Sequence, residues 1–469
     1  LSEFTTGELR ARFLLLCRVN QVVAAALPTL SLGDGALVAH VLATSDVRRV
    51  LFRDTVLAWV RRVCEVTAFG ARSARPRVVV NRFRASSAVA ASETVFGQLS
   101  SQLLAVHPAH LQQARTSPHL AFEVQLKQER VAGEGGPYRE VFDDVARELT
   151  AAGDAQLWHL FTPTANAVGG VGDGRDCVLP SPRATSAEAL TALQALGRLM
   201  GCGLRTNVRM PITLPSLFWK LLVDQPLALA DLDGVDHMLV SSVVQPLQCA
   251  SSAEEFDKQF GRTLRQATTL ADGTLVEMVP GGADAVVAFA DRGAYVEWLT
   301  QVHASQCRAQ VQAVRLGLCE VVPVSLLRLL DWREARTLLC GDPEVDIDML
   351  ARHTEYAGGV DADSPQVLNM WAALRSFSQA DRRKFVKFAW GQERLPPTDA
   401  AFDAAGVRLL IKAAPEAMGA RPDSQLPRAD TCFFNLSLPA WSTEAVAADR
   451  LLVAISLDAG LDGDDVDPQ

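Results

Sequence analysis

The apolar residues of this chain change period several times between its ends, so no single bundle or sheet satisfies every segment. Near the start, Leu14, Leu15, Val19 and Val22 recur at helical spacing. Val50, Leu51, Val56, Leu57, Val60 and Val63 do so again. An Ala/Arg/Ser-rich connection over 71–92 contains Val78-Val79-Val80, a candidate strand. From His119 the character changes: Phe122, Val124 and Leu126 alternate with polar residues as a strand does. Gly133 to Gly136 predict a turn, and Pro137 suits the first position of a helix that carries Val141, Val145 and Leu149 on one face. At 469 residues the chain exceeds what one growing core accommodates, so an α+β fold of several packed units is expected.

Further on, a Gly/Asp/Pro loop from Gly169 to Pro182 precedes Thr185-x-x-Glu188, which reads as a capping box. Leu190, Leu193, Leu196, Leu199, Met200 and Leu204 follow as a buried helix, and Pro211 to Val223 predicts another. Residues 235 to 300 form a small mixed module. Phe256 and Phe260 lie on a short helical pattern, Leu270 to Leu275 places Asp272-Gly273 between two strands, and Ala285 to Phe289 reads as a third. Tyr295 to Leu330 is helical with a break at Pro323, and Gly341 and Pro343 stop the next helix. Ser364-Pro365 and Ser378 open two helices, the second closing at Trp390-Gly391. Val407 to Ile411 and the residues Phe434, Leu436 and Leu438 predict strands, and Ser442 to Ile455 a last helix. The acidic end, with Asp458, Asp462, Asp464, Asp465 and Asp467, is expected to fray.

Charge and cysteine usage narrow the function classes. The first hundred residues hold 13 arginines against seven acids, although the whole chain is at −9. The run from Arg72 to Arg84 lacks interleaved aromatics or a binding motif, so a solvated loop is expected and not a nucleic-acid partner. Nine single cysteines without a C-x-x-C pair suggest neither a disulfide framework nor a zinc site; no metal and no cofactor are expected. The most apolar early stretch, Phe13 to Leu32, is broken by Arg18, Asn20, Gln21 and Pro28, so no membrane span is expected. A cytoplasmic location, with the nucleus as alternative, follows as the expectation. The start at Leu1 suggests a piece of something longer.

One cysteine stands apart. In Leu426-Pro427-Arg428-Ala429-Asp430-Thr431-Cys432-Phe433-Phe434 a thiol lies between a Pro-marked loop and an alternating strand, where backbone holds it outward. This segment resembles the active-site motif of HECT-type ubiquitin ligases. Four other segments resemble that family's landmarks in the same order: Gly135 to Glu140, Leu196 to Gly201, Gly281-Gly282 and Thr354 to Gly359. The Phe433-Phe434 pair and the early helices are most like the HERC-type branch, of which this would be a C-terminal fragment.

The resemblance implies a mainly helical N-terminal lobe joined by a hinge to a small α/β C-terminal lobe, after a helical extension. The extension with its Arg-rich linker would occupy 1–115 and the N-terminal lobe 116–340, with a small subdomain for docking a ubiquitin-conjugating enzyme at about 235–300. The hinge would be 341–343, the C-terminal lobe 344–460 and the acidic tail 461–469. It further implies that ubiquitin is taken from the conjugating enzyme as a thioester on Cys432 and passed to a lysine of a protein substrate. Ubiquitin, conjugating enzyme and substrate are the implied partners. Arg139 and Glu140 carry over as structural residues.

The chemistry around the thiol is spare. Exchanging one thioester for another is nearly balanced, so access matters more than deep activation. Asp430, two residues before Cys432, disfavours a neighbouring thiolate and is instead a candidate for orienting or deprotonating the incoming lysine. Thr431 is a supporting residue. Many family members carry His where Asp430 stands and Asn where Phe434 stands. These departures keep a second class of function open, a non-catalytic HECT-like scaffold. A cysteine hydrolase is a third, and would need a histidine at the thiol, although none follows His353.

Overall fold

Of the two helices that the early periodicity predicts, only the second buries its apolar stripe. The computed structural model describes residues 4–26, 47–69, 75–113, 119–129, 135–151, 157–261, 263–342, 344–392, 394–396, 398–414, 421–431 and 433–458. Arg72, Gly133, Glu134, Pro343, Cys432 and the acidic tail lie outside the described residues. Helix α1 (Thr6–Ala26) leaves Phe13, Leu14, Leu15 and Val22 exposed. It docks instead through buried Asn20, whose amide donates to Val50 O at 2.9 Å and accepts from Phe52 N at 2.7 Å and Thr55 Oγ1 at 2.8 Å. Helix α2 (Arg53–Val66) turns Val56, Leu57, Val60 and Val63 into the main core.

Parallel strands need a long connection, usually a helix, and the first sheet follows that constraint. β1 (Arg77–Val80) pairs in parallel with β2 (Glu123–Leu126), Val78 opposite Val124 and Val80 opposite Leu126. Helix α3 (Val95–Ala105) lies between them in sequence and packs on β1 with Phe96, Leu99 and Leu103 buried. The described arginines of this Arg-rich stretch are engaged within the chain: Arg77 pairs with Glu123 at 3.3 Å and Arg84 with Glu93 at 3.0 Å. Burial works against the charge of Arg82, but Asp144, Glu140 and Glu129 outweigh it and hold the guanidinium above its ordinary pKa.

Helix α4 already includes Gly135 and Gly136 (Gly135–Thr150), so Pro137 is its third residue and not its first. Val141, Val145 and Leu149 are fully buried on it, as expected. β3 (Phe161–Pro163) and β4 (Val178–Pro180) form a short antiparallel pair. Helix α5 (Ala187–Thr206) is capped one residue later than the capping-box pattern suggests, because Ser186 Oγ accepts from Ala189 N at 3.1 Å. Residues 211–215 are not helical. Leu214 precedes Pro215 and is biased to extended backbone, so helix α6 begins only at Ser216 (Ser216–Val223).

The small module carries the predicted hairpin, β5 (Ala267–Thr269) antiparallel to β6 (Leu275–Glu277), with Gly273 at φ 80° in its turn. The third strand is absent: Ala285 to Phe289 contributes a single bridge, Val286 with Arg265. Val244, Leu247, Phe256, Phe260, Tyr295 and Leu299 form the module's own cluster. The long helical stretch is divided at Gln306 and Cys307 as well as at Pro323, giving α7 (Arg292–Ser305) and α8 (Arg308–Val321). Helix α9 (Trp332–Cys340) ends at Gly341, whose φ of 76° suits glycine.

α5 and α8 form the most intimate contact in the molecule. A Cβ on Gly197 would lie 2.0 Å from Val314 O, and one on Gly317 would lie 1.8 Å from Gln194 O. Beside this seam, buried Arg198 pairs with Glu320 and donates to Leu103 O at 2.8 Å and Val106 O at 3.1 Å. One apolar cluster spans Val56 to Cys340, and a second spans Val345 to Ile455. The second is built on β7 (Thr354–Ala357), helices α10 (Pro365–Ser376), α11 (Gln379–Trp390) and α12 (Asp399–Ala405), then β8 (Leu409–Ala413), β9 (Arg428–Asp430), β10 (Asn435–Leu438) and helix α13 (Glu444–Asp458).

Because the α5–α8 seam is backbone against backbone, even one methyl group forces the helices apart. Gly317→Ala is expected to lower unfolding stability by about 3 kcal/mol, read as a fall in the urea midpoint. A midpoint equal to that of the parent chain would show that the seam tolerates separation.

Candidate functional site

The last sheet has the order β7-β8-β10-β9, with β7, β8 and β10 parallel and β9 antiparallel to β10. The starts of the three parallel strands and the end of β9 therefore share one edge. Leu409, Ile411, Leu436 and Leu438 point to one face and are buried, in register as Ile411 with Leu436 and Ala413 with Leu438. α11 packs against β9 and β10 and, with α10, against α13. This side of the sheet is rigid scaffold for whatever its edge presents.

The turn joining β9 to β10 emerges at that edge. Asp430 and Asn435 close it as a strand pair, and Phe433 N donates to Asp430 O at 3.2 Å. Cys432 itself lies outside the described residues; Thr431 and Phe433 on either side are described. Asp430 is exposed and Thr431 half-buried. Phe433 is 72% exposed, whereas Phe434 is 2% exposed.

Two neighbouring phenylalanines with opposite fates require an unusual backbone. Phe434 adopts φ 52°, a left-handed conformation that a bulky residue rarely takes and that costs on the order of 1–3 kcal/mol. Its ring stacks on Trp390 at 4.9 Å with planes 16° apart, and Leu410 N donates to its carbonyl at 3.0 Å. Trp390 is the last residue of α11, and Gly391 at φ 72° ends that helix. A Cβ on Gly391 would meet Thr431 at 3.5 Å, so Thr431 rests on the same helix end. The sequence marks Trp390-Gly391 only as a helix stop, and the role of Trp390 as the platform under the turn is not visible there.

The remaining polar groups at this edge are committed elsewhere. His353, 7% exposed, places Nε2 2.8 Å from Asp399 Oδ1 and stacks its ring face to face on Phe402 at 4.4 Å. Hydrogen bonds from Arg352 and His353 hold the Asp399 carboxyl below its usual range. Four other cysteines are core residues, and burial pushes the thiols of Cys177, Cys202, Cys307 and Cys340 up to about 12. Cys249 is exposed. Among the described residues no group of His, Cys, Asp and Glu is placed to hold a metal ion, and no helix is long and apolar enough to cross a membrane.

The landmark residues earlier in the chain have structural work. Glu140 accepts from Arg82, Gly197 and Arg198 form the α5–α8 seam, and β7 occupies Thr354 to Ala357. Gly341 lies between the two apolar clusters, and a Cβ there would sit 2.7 Å from Arg394 Cβ. Arg394, 4% exposed, donates from Nη2 to Thr213 Oγ1 at 3.1 Å, joining residues on either side of Gly341.

The chain is similar in sequence to known proteins. The E3 ubiquitin-protein ligase HERC2 of Homo sapiens is 29% identical over 479 aligned residues, covering 99% of this chain and 10% of that protein. The probable E3 ubiquitin-protein ligase HECTD4 of Homo sapiens is 28% identical, covering 95% of this chain and 12% of that protein. The E3 ubiquitin-protein ligase HACE1 of Danio rerio is 27% identical over 68% of this chain. The chain thus spans about a tenth of the length of the two human relatives. A sequence model of the HECT domain, described as a ubiquitin-transferase, matches residues 152–462, and the chain belongs to the HECT-domain family.

Proposed function

We propose that this chain is a ubiquitin-protein transferase that carries ubiquitin as a thioester on Cys432. The observation that carries this reading is the β9–β10 turn. One flank is fixed by the Trp390–Phe434 stack, while Phe433 is turned out to solvent. A thiol in such a turn has the access and alignment that transthiolation requires. The Cys432 thiolate attacks the carbonyl of the conjugating enzyme's thioester, a new C–S bond forms, and the conjugating enzyme's thiolate leaves. A neutral substrate amine then attacks the same carbonyl, the Cys432 thiolate leaves, and the amine's proton passes to a base. Asp430, exposed at the end of β9, is suited to hold that amine or take its proton.

The small module at about 235–300, with Leu275 and Val279 exposed, is assigned the docking of the conjugating enzyme on the family likeness. Residues 341–343 are assigned the hinge that lets one sulfur face two partners in turn, with bilobal motion about it. The cytoplasm, or the nucleus, is the assigned location. The Asp430 and Phe434 departures keep the scaffold reading open as the alternative, and it predicts binding without an adduct.

Mixing the chain with charged conjugating enzyme is expected to give a reductant-sensitive adduct on a non-reducing gel, and Cys432→Ala is expected to abolish it. An adduct that persists in this variant would remove the assignment of the sulfur, and its absence in the parent chain would leave the scaffold.

Trp390→Ala removes the platform beneath the turn. It is expected to slow adduct formation by on the order of tenfold to a hundredfold while binding of the conjugating enzyme, measured by calorimetry, is unchanged. Equal slowing of both would show general unfolding instead.

Alkylation of the native protein at neutral pH tests accessibility independently. Mass spectrometry is expected to find Cys249 and Cys432 modified and Cys177, Cys202, Cys307 and Cys340 protected, since thiols pushed up to about 12 carry almost no thiolate there. Protection of Cys432 would contradict its proposed presentation.

A further inference from the structure

A partly enclosed cavity of about 70 Å³ lies where the extension, the end of α5 and the C-terminal cluster meet, lined among others by Arg61 of α2, Arg205, Asn207 and Arg209 around the α5 terminus, and Ala401 of α12. Among the described lining residues, Arg205 and Arg209 are the buried cations. Arg205, 6% exposed, spends its donors on neutral acceptors: Nε on Val321 O at 2.8 Å, Nη1 on Cys64 O at 2.8 Å and Nη2 on Thr67 Oγ1 at 2.7 Å. Arg209, 8% exposed, makes one side-chain hydrogen bond, Nη2 to Asn207 Oδ1 at 2.7 Å. Neither guanidinium is paired with a carboxylate among the described residues.

Buried charges are normally paired, because an isolated one is costly to desolvate. Burial lowers the pKa of Arg205, and burial together with the nearby charge of Arg61 pushes Arg209 down to about 10. Both effects describe cations short of negative charge. Glu65 also lines the cavity, but it is exposed and lies 3.6 Å from Arg62 rather than against either buried arginine. A water needs about 10–15 Å³ of such space, so the enclosed part accommodates an ion of several heavy atoms.

We propose that this cavity binds one small tetrahedral oxyanion, phosphate or sulfate in size, on Arg209 and Arg205 with Arg61 adding charge. Held there, the ion ties α2 of the extension to the end of α5 and to the neighbourhood of α12. The site is independent of Cys432 and of the transfer chemistry.

Equilibrium dialysis of the whole chain against radiolabelled inorganic phosphate, in chloride buffer of constant ionic strength, tests this. The expected result is saturable binding of one phosphate per chain, displaced by sulfate but not by the bulkier phenyl phosphate. Arg209→Gln is expected to weaken binding by about tenfold or more, the loss of one charged hydrogen-bonding partner. Arg61→Gln, at a less buried position, is the second variant and is expected to weaken it in the same direction, so the test stands if Arg209→Gln fails to fold. No saturable binding to the parent chain, or binding unchanged in the folded variants, overturns the proposal.

Discussion

The close approach of α5 and α8 is the constraint on which the larger core depends. Gly197 and Gly317 bring each helix onto the other's backbone, where no side chain would fit. That approach sets the height at which Arg198 meets Glu320 and reaches the carbonyls at the end of α3. Through α3 it fixes the β1–β2 sheet, and through the end of α5 it fixes Arg205 against α2. A family landmark such as Leu196 to Gly201 is therefore a packing device whose letters follow from one helix crossing.

At the other end of the chain the same economy of means serves presentation. A turn that buried both phenylalanines would hide its neighbours, and one that exposed both would be loose. The left-handed backbone at Phe434 separates them, and the stack on Trp390 together with the hydrogen bond to the Phe434 carbonyl offsets its conformational cost. The strain lies beside the residue proposed to react. Order at the flanks with exposure at Phe433 is the combination that a thiol receiving a bulky acyl partner needs.

Much of this was legible in the sequence where the signal is local. The buried faces of α2 and α4, the Asp272-Gly273 hairpin, the core setting of Cys202 and the alternation of Leu436 and Leu438 all come from period and turn chemistry. What escaped is non-local or depends on one competing residue. The Val78–Val80 run and the Phe122–Leu126 run each read as strands, but their parallel pairing across α3 has no local signature. Ser186 outcompetes Thr185 as cap, Pro215 holds back α6, and Ala285 to Phe289 finds only one bridging partner. The apolar stripe of α1 predicts burial that the described residues do not supply, because a single amide, Asn20, does the docking. The Trp390–Phe434 stack joins residues far apart in sequence, and no period links them.

Gly341 lies between the two apolar clusters. On one side the larger cluster ends at Cys340, and on the other the smaller begins at Val345. Between them Gly341 leaves room for the stem of Arg394, whose guanidinium reaches Thr213. A junction of this kind differs from a domain core cut in half: separating apolar faces costs roughly 25 cal/mol per Å², whereas an arginine–hydroxyl bond is exchanged for water at a net cost of only about 1.5–3 kcal/mol. The Arg394–Thr213 bond is therefore a contact that water can replace, whereas the apolar interior of the smaller cluster is not. A hinge at this point, as proposed above, would need that contrast between a packed interior and a replaceable attachment.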